Sequence, residues 1–199
     1  MIAIEIGVWK NFIAGRDGAF KTLYDRCVDG LFAFGCHYTP DEELVKDSIH
    51  DLFVDLYRYR TQLSHEVNVK AYLFSALRRR ILNSVSKTKQ QEERIADHPD
   101  NDFHAVWDAE TILIQDEEQA HALACLRNEI RNLPGKQKEV LYLRFTSELE
   151  YEQVAAIMGI SPASARTLVY RAIKTLRNNM NRVSVSPLLW MIFQSGHKK

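Results

Sequence analysis

Few side-chain groupings in this 199-residue chain could do chemistry, and most of them fail on inspection. His50 and Asp51 are adjacent, a pairing that all-helical metal-dependent phosphohydrolases use to hold a divalent ion, and His37 upstream could add a third ligand. Such a site also needs a further aspartate correctly placed, so no metal is expected. Cys27, Cys36 and Cys125 are widely spaced and contain no CxxC, which points to reduced thiols and not to a disulfide framework or a zinc knuckle. No serine elbow, zinc-protease helix or phosphate-cradling glycine loop is present, and neither a cofactor nor a small-molecule substrate is expected. What remains is cationic. From Arg166 to Arg182 the basic residues Arg166, Arg171, Lys174, Arg177 and Arg182 occur with no acid among them, and guanidinium and ammonium groups so clustered bind phosphates and base edges.

The formal net charge is zero, but it is a sum of blocks. Residues 67–91 hold Lys70, Arg78, Arg79, Arg80, Lys87 and Lys89 and no acid. Residues 92–118 hold ten acids against Arg94 alone, and from Ser161 to the end bases again occur without acids. Segregation of this kind carries information about partners that the total hides. The opening MIAIEIGVWK has Glu5 inside its apolar stretch and no basic lead, unlike a signal peptide. The longest apolar run, Leu188–Phe193, is far short of the ~20 residues that cross a bilayer. The expectation is a soluble, cytoplasmic protein.

Helical periodicity dominates, with only eight glycines and five prolines. An all-α fold is expected: two helical domains joined by an acidic flexible linker. The first lobe, 8–90, should contain a helix from Gly15 to Cys27, with Ala19, Phe20, Leu23, Tyr24 and Cys27 on one face. A second should run from Pro40 to Arg60 with its stripe on Leu44, Val45, Ile49, Leu52, Phe53 and Leu56, and with Asp41, Glu42 and Glu43 in a first turn where the helix dipole favours them. A third should run from Val69 to Val85 and bury Tyr72, Leu73, Ala76, Leu77 and Ile81. The linker spans 91–115, the second lobe 116–182, and an apolar tail 183–199. In the second lobe a helix to Leu133 is broken by Pro134-Gly135 and followed by a helix over Lys136–Phe145. Two short helices then begin at Tyr151 and Ser161. Gly159 tolerates a positive φ, Ser161 suits an N-cap and Pro162 a first helical position, so this pair reads as a helix-turn-helix. Opposite its apolar stripe the last helix presents Ser164, Arg166, Thr167, Tyr170, Arg171 and Lys174, with Arg177 one turn on.

Five stretches in order carry a family resemblance. GRDGAFKTLYDRC (15–27), DSIHDLFVDLYR (47–58), KAYLFSALRRRILNSVSK (70–87), LPGKQKEVLYLRF (133–145) and YEQVAAIMGISPASARTLVYRAIKTLR (151–177) resemble the sigma-70 family, in the short extracytoplasmic-function class that has no domain between regions 2 and 4. The resemblance implies a transcription initiation factor without catalysis of its own, whose partners are core RNA polymerase, promoter DNA as duplex and melted strand, and an anti-sigma factor. It implies polymerase binding by Asp47, His50, Asp51, Leu52, Phe53, Asp55, Leu56 and Tyr57, with carboxylates four apart rimming an apolar centre. It implies minus-ten recognition and melting by His65, Asn68, Arg78, Arg79, Arg80, Asn83 and Lys87, with His65 and Asn68 in the loop that forms the family's base pocket. Arg78, Arg79 and Asn83 have the geometry to touch bases. It implies minus-thirty-five recognition by Ser164, Arg166, Thr167, Tyr170, Arg171, Lys174 and Arg177. Arg79, Ser84, Ser86, His50 and Tyr57 stand where the family commonly has Asn, an aromatic, Arg, Gln and Trp.

An acidic linker would be repelled by DNA, and by the same resemblance it threads basic channels of the polymerase. Its 25 residues reach at most ~80 Å, against the ~70 Å of two helical turns between the promoter elements. Phe103, Val106 and Trp107 could anchor it on polymerase, on a neighbouring lobe or on an inhibitor. The tail residues Leu188–Phe193 either pack on the second lobe or dock an inhibitory partner. The rival to this reading is a helix-turn-helix regulator that acts without polymerase, which leaves 47–58 and 67–91 without a purpose.

Overall fold

The computed structural model describes residues 6–92, Phe103 and 117–180, with side chains over 7–86, at 103 and over 121–180. Every regular element among them is helical, and the chain divides into two compact units, Met1–Pro99 and Asp100–Lys199. The all-α, two-domain expectation holds.

The first unit comprises α1 (Ile6–Ile13), α2 (Ala19–Gly35), α3 (Glu42–Arg58), a 3-10 turn (Arg60–Gln62) and α4 (Val69–Glu92). Helix α2 is central: it packs on α1, α3 and α4. Its stripe of Leu23, Cys27, Leu31 and Phe34 is buried, and it meets Val45, Ile49, Leu52 and Leu56 of α3 and Leu73, Leu77 and Ile81 of α4 in one core. Close approach here depends on Gly35, since a Cβ at that position would lie 2.5 Å from Val45 Cγ1 and 3.1 Å from Ile81 Cδ1. Helix α3 is started by Asp41, whose Oδ1 accepts the Leu44 N–H at 3.0 Å, with Glu42 and Glu43 in the first turn.

The second unit comprises α5 (Glu117–Arg131), α6 (Gly135–Leu141) running into a π-helical turn (Tyr142–Thr146), α7 (Tyr151–Met158) and α8 (Pro162–Asn179). Helix α8 packs on α5, α6 and α7 through Ala165, Val169, Ala172 and Leu176. These meet Leu123, Leu126, Ile130, Val140, Leu141, Val154 and Ile157, all buried.

Three differences from the expected elements stand out. Helix α1 was not foreseen, because its eight residues fall before the first strong periodic segment. Helix α2 runs a further two turns past Cys27. Tyr72, expected in the core, is 39% exposed, its ring 6.0 Å from that of Trp9. The inward positions of α4 are Val69, Leu73, Leu77 and Ile81 at four-residue spacing, with Phe74 alongside, and this register turns position 72 outward.

Candidate nucleic-acid and polymerase interfaces

The helix-turn-helix is built by local rules. The Glu150 N–H donates to Gln153 Oε1 at 2.8 Å as α7 begins. Gly159, at φ 67°, ends α7 in the left-handed region where a side chain would be strained. Ser161 Oγ accepts the Ser164 N–H at 3.1 Å, and Pro162 opens α8. With Ala165, Val169, Ala172 and Leu176 fixed inward, the expected set Ser164, Arg166, Thr167, Tyr170, Arg171, Lys174 and Arg177 is brought together on one exposed face, Tyr170 at 65%. Helix α8 itself contributes no acid to that face. Ser164 shares a 2.9 Å hydrogen bond with Ser161, so the cap occupies it. Thr167 Oγ1 donates to the Ala163 carbonyl at 2.9 Å. Arg166 pairs with Glu152 of α7 at 2.8 Å and lies 5.2 Å from the centre of the Tyr151 ring, with Arg144 5.1 Å from the same ring. This ion pair is exposed on both sides, so exchanging it for a phosphate costs little. Tyr151 and Glu152 were not foreseen as supports, since their roles depend on how α7 crosses α8.

On α4 the basic residues spread around the helix. Arg79 and Asn83 are exposed and Arg78 is half-buried. Arg80 is turned toward α3, where its guanidinium is hydrogen-bonded to Asp55 Oδ2. Two expected roles therefore meet in one pair: a phosphate cation and a polymerase-facing carboxylate hold α3 to α4. Asn68 caps α4 by accepting the Ala71 N–H at 2.9 Å. His65 is exposed in the loop before it. The side chains of Lys87 and Lys89 lie outside the described residues.

The polymerase-facing set divides by helical register. Asp47, His50, Asp51 and Tyr57 are exposed, Tyr57 at 52%. Leu52, Phe53 and Leu56, expected as the apolar centre of that surface, are buried at 4%, 2% and 3% exposure. They continue the stripe of Val45 and Ile49 into the core, so their apolar character serves folding first. The apolar surface that does reach solvent is a groove of about 610 Å³ between α2 and α3, lined by Phe20, Lys21, Tyr24, His50, Phe53, Val54 and Tyr57. Its aromatic wall is continuous: the Phe53 ring lies 4.9 Å from that of Tyr24 and 6.0 Å from that of Phe20, which is 5.5 Å from that of Tyr57. Phe20 and Tyr24 were expected only to share one face of α2, and Val54 of α3 was not singled out; the packing of α2 on α3 brings them together.

Among the described residues no three His, Cys, Asp or Glu side chains are grouped to hold a metal ion, and no helix is long and apolar enough to cross a membrane. His37 is buried near the end of α2, whereas His50 is exposed on α3. Burial pushes the Cys27 thiol up to about 12, against a smaller opposing pull from Arg26. Phe103 is fully buried, its ring 5.7 Å from that of Tyr142 in the second unit. Val106, Trp107 and the tail Leu188–Phe193 lie outside the described residues.

A helical bundle is followed in the chain by a helix-turn-helix with a cationic exposed helix, and comparisons with known proteins narrow the class. The family model for sigma-70, region 4 matches residues 123–176, which include the helix-turn-helix. The ECF RNA polymerase sigma factor SigM of Bacillus subtilis is 24% identical over 160 residues, 80% of this chain and 94% of that protein. SigV of the same organism is 31% identical over 83 residues, 41% of this chain and 50% of that one. BldN of Streptomyces coelicolor, also an ECF sigma factor, is 24% identical over 167 residues, covering 82% and 61% of the two chains. The fold is similar to that of the sigma factor RpoE of Bartonella quintana, solved with the anti-sigma factor NepR, with a TM-score of 0.56, 22% identity, and 83% and 98% of the chains covered. Residues 123–176 thus match sigma-70 region 4, and over most of its length the chain is similar to ECF RNA polymerase sigma factors.

Proposed function

We propose that the chain, as a transcription initiation factor, divides its work among three surfaces. Helix α8 enters the major groove of the minus-thirty-five element, with Arg166, Thr167, Tyr170 and Arg171 toward the bases and Lys174 and Arg177 toward phosphates. Helix α4 and the loop before it, through Arg78, Arg79, Asn83 and His65, take the minus-ten element and recover the cost of extruding a base, a few kcal/mol, from pocket and phosphate contacts. The α2–α3 groove seats an apolar anchor of core RNA polymerase, with Asp47 and Asp51 facing that partner's cations. Asp55 and Arg80 join the second surface to the third. The chain performs no catalytic step and works in the cytoplasm, where polymerase and promoter are. An anti-sigma factor of the kind bound to the RpoE relative is its regulator.

The observation that carries this reading is the exposed face of α8, to which the helix contributes cations and no acid, within the segment matched by the region 4 model. The test is association of purified chain with purified core polymerase. Val54→Asp with Tyr57→Asp should weaken it at least tenfold while leaving the fold intact, because both side chains are exposed. Unchanged association would remove the groove from the interface.

A further inference from the structure

The loop that joins the 3-10 turn to α4 carries His65 and leads into Asn68. Locally it is tied by little: the Glu66 N–H reaches Ser64 Oγ at 3.3 Å, and Asn68 caps the helix that follows. Its firmest tie comes from α1. Trp9, 1% exposed, donates its indole N–H to the Ser64 carbonyl oxygen at 2.9 Å across 55 residues of chain. The ring is set by Phe12 on its own helix, 5.7 Å between centroids, and by Tyr72 in the first turn of α4 at 6.0 Å. At the start of the loop the 3-10 turn also packs on α1, and the Arg60 guanidinium lies so near Gly15 that a Cβ there would sit 3.6 Å from Arg60 Nε. A buried indole N–H must find an acceptor. The acceptor that Trp9 takes belongs to the loop, so the same bond that satisfies the indole fixes the backbone one residue before His65.

We propose that Trp9 is a positioning residue for promoter opening: through Ser64 it holds the His65 loop in the shape that receives the extruded minus-ten base. The proposal rests on the assignment of that loop to the minus-ten element. A loop held in advance spares the ordering cost that base capture would otherwise carry. Trp9 itself need touch no DNA.

The test uses the full chain with core polymerase. Trp9→Phe keeps an aromatic ring in place while removing the N–H and part of the indole, and His65→Ala is the comparator. Open complex is followed by fluorescence of 2-aminopurine within the minus-ten element, alongside thermal stability, core affinity and the preference for a cognate over a base-substituted single-stranded minus-ten oligonucleotide. Trp9→Phe should leave the chain folded and core affinity near wild type, reduce open complex about fivefold to tenfold, the scale of one lost hydrogen bond, and narrow the cognate preference. Full opening by Trp9→Phe where His65→Ala is impaired overturns the role of Trp9 alone. Full opening by both overturns the assignment of the loop, and the proposal with it. A loss of core affinity as large as the loss of open complex makes Trp9 an ordinary core residue and also overturns the proposal.

Discussion

Among single residues, two cations on one face of α8 should have separable duties. Arg171→Ala should lose ~1–3 kcal/mol on the cognate minus-thirty-five element and much less on a scrambled one, because a bidentate base contact is specific. Lys174→Ala should weaken both sites equally and lower the salt slope by about 1. Titrations of the two variants on both duplexes at several salt concentrations decide it; equal losses for Arg171→Ala would take it off the list of base readers. Burial separates a second pair of roles. Leu52→Ala should destabilise the first unit by about 2–5 kcal/mol, as core truncations do, whereas Asp51→Asn should leave stability unchanged and weaken polymerase binding. The thiol of Cys27 gives a pH dependence. Its raised folded value means the neutral thiol stabilises the fold at and below its ordinary value of 9.0, and that contribution is lost as pH climbs toward about 12. Cys27→Ala should therefore flatten the loss of stability between those limits in urea melts; a slope identical to wild type would contradict it.

At the scale of elements, what could be read in advance followed the strength of the periodic signal. The stripes of α3 and α8 are long and regular, and with them the exposed faces that carry Asp47, Asp51, Arg171 and Lys174 were legible. Where a helix is buried on two sides the pattern misleads. Leu52, Phe53 and Leu56 read equally well as a docking surface or as core, and only the packing of α2 and α4 against α3 resolves them. Tyr72 fell on the wrong side because an aromatic in an apolar run looks buried, while its register turns it out. Arg80 looked like its neighbours Arg78 and Arg79 until the crossing of α3 and α4 matched it with Asp55. Gly35 marks that crossing: Gly35→Ala should cost about 1–3 kcal/mol, since Val45 and Ile81 leave its Cβ no room. A melt equal to wild type would mean the helices part without cost.

At the scale of the whole molecule, Phe103 redefines the connector. Its ring is buried and close to Tyr142 in the second unit, so residues 93–102 are the chain between α4 and that anchor. Ten residues reach about 35 Å, half the ~70 Å that separates promoter elements two helical turns apart. From α4 to α5 the connector is residues 93–116, 24 residues that reach about 80 Å. Deleting ten connector residues should abolish promoter-dependent transcription, whereas inserting ten Gly and Ser residues should leave it, loop length adding well under 1 kcal/mol. Activity that survives the deletion would show that the spanning requirement is wrong.

This chain should confer promoter choice on core RNA polymerase through α8 and α4 together. Run-off transcription with purified core enzyme, on promoters from the neighbourhood of its own gene, measures that directly. A discrete transcript that needs the chain, and that disappears with Arg171→Ala and Arg79→Ala alike, is the predicted result. A chain that binds the same DNA tightly unaided and yields no transcript with core enzyme would contradict the account.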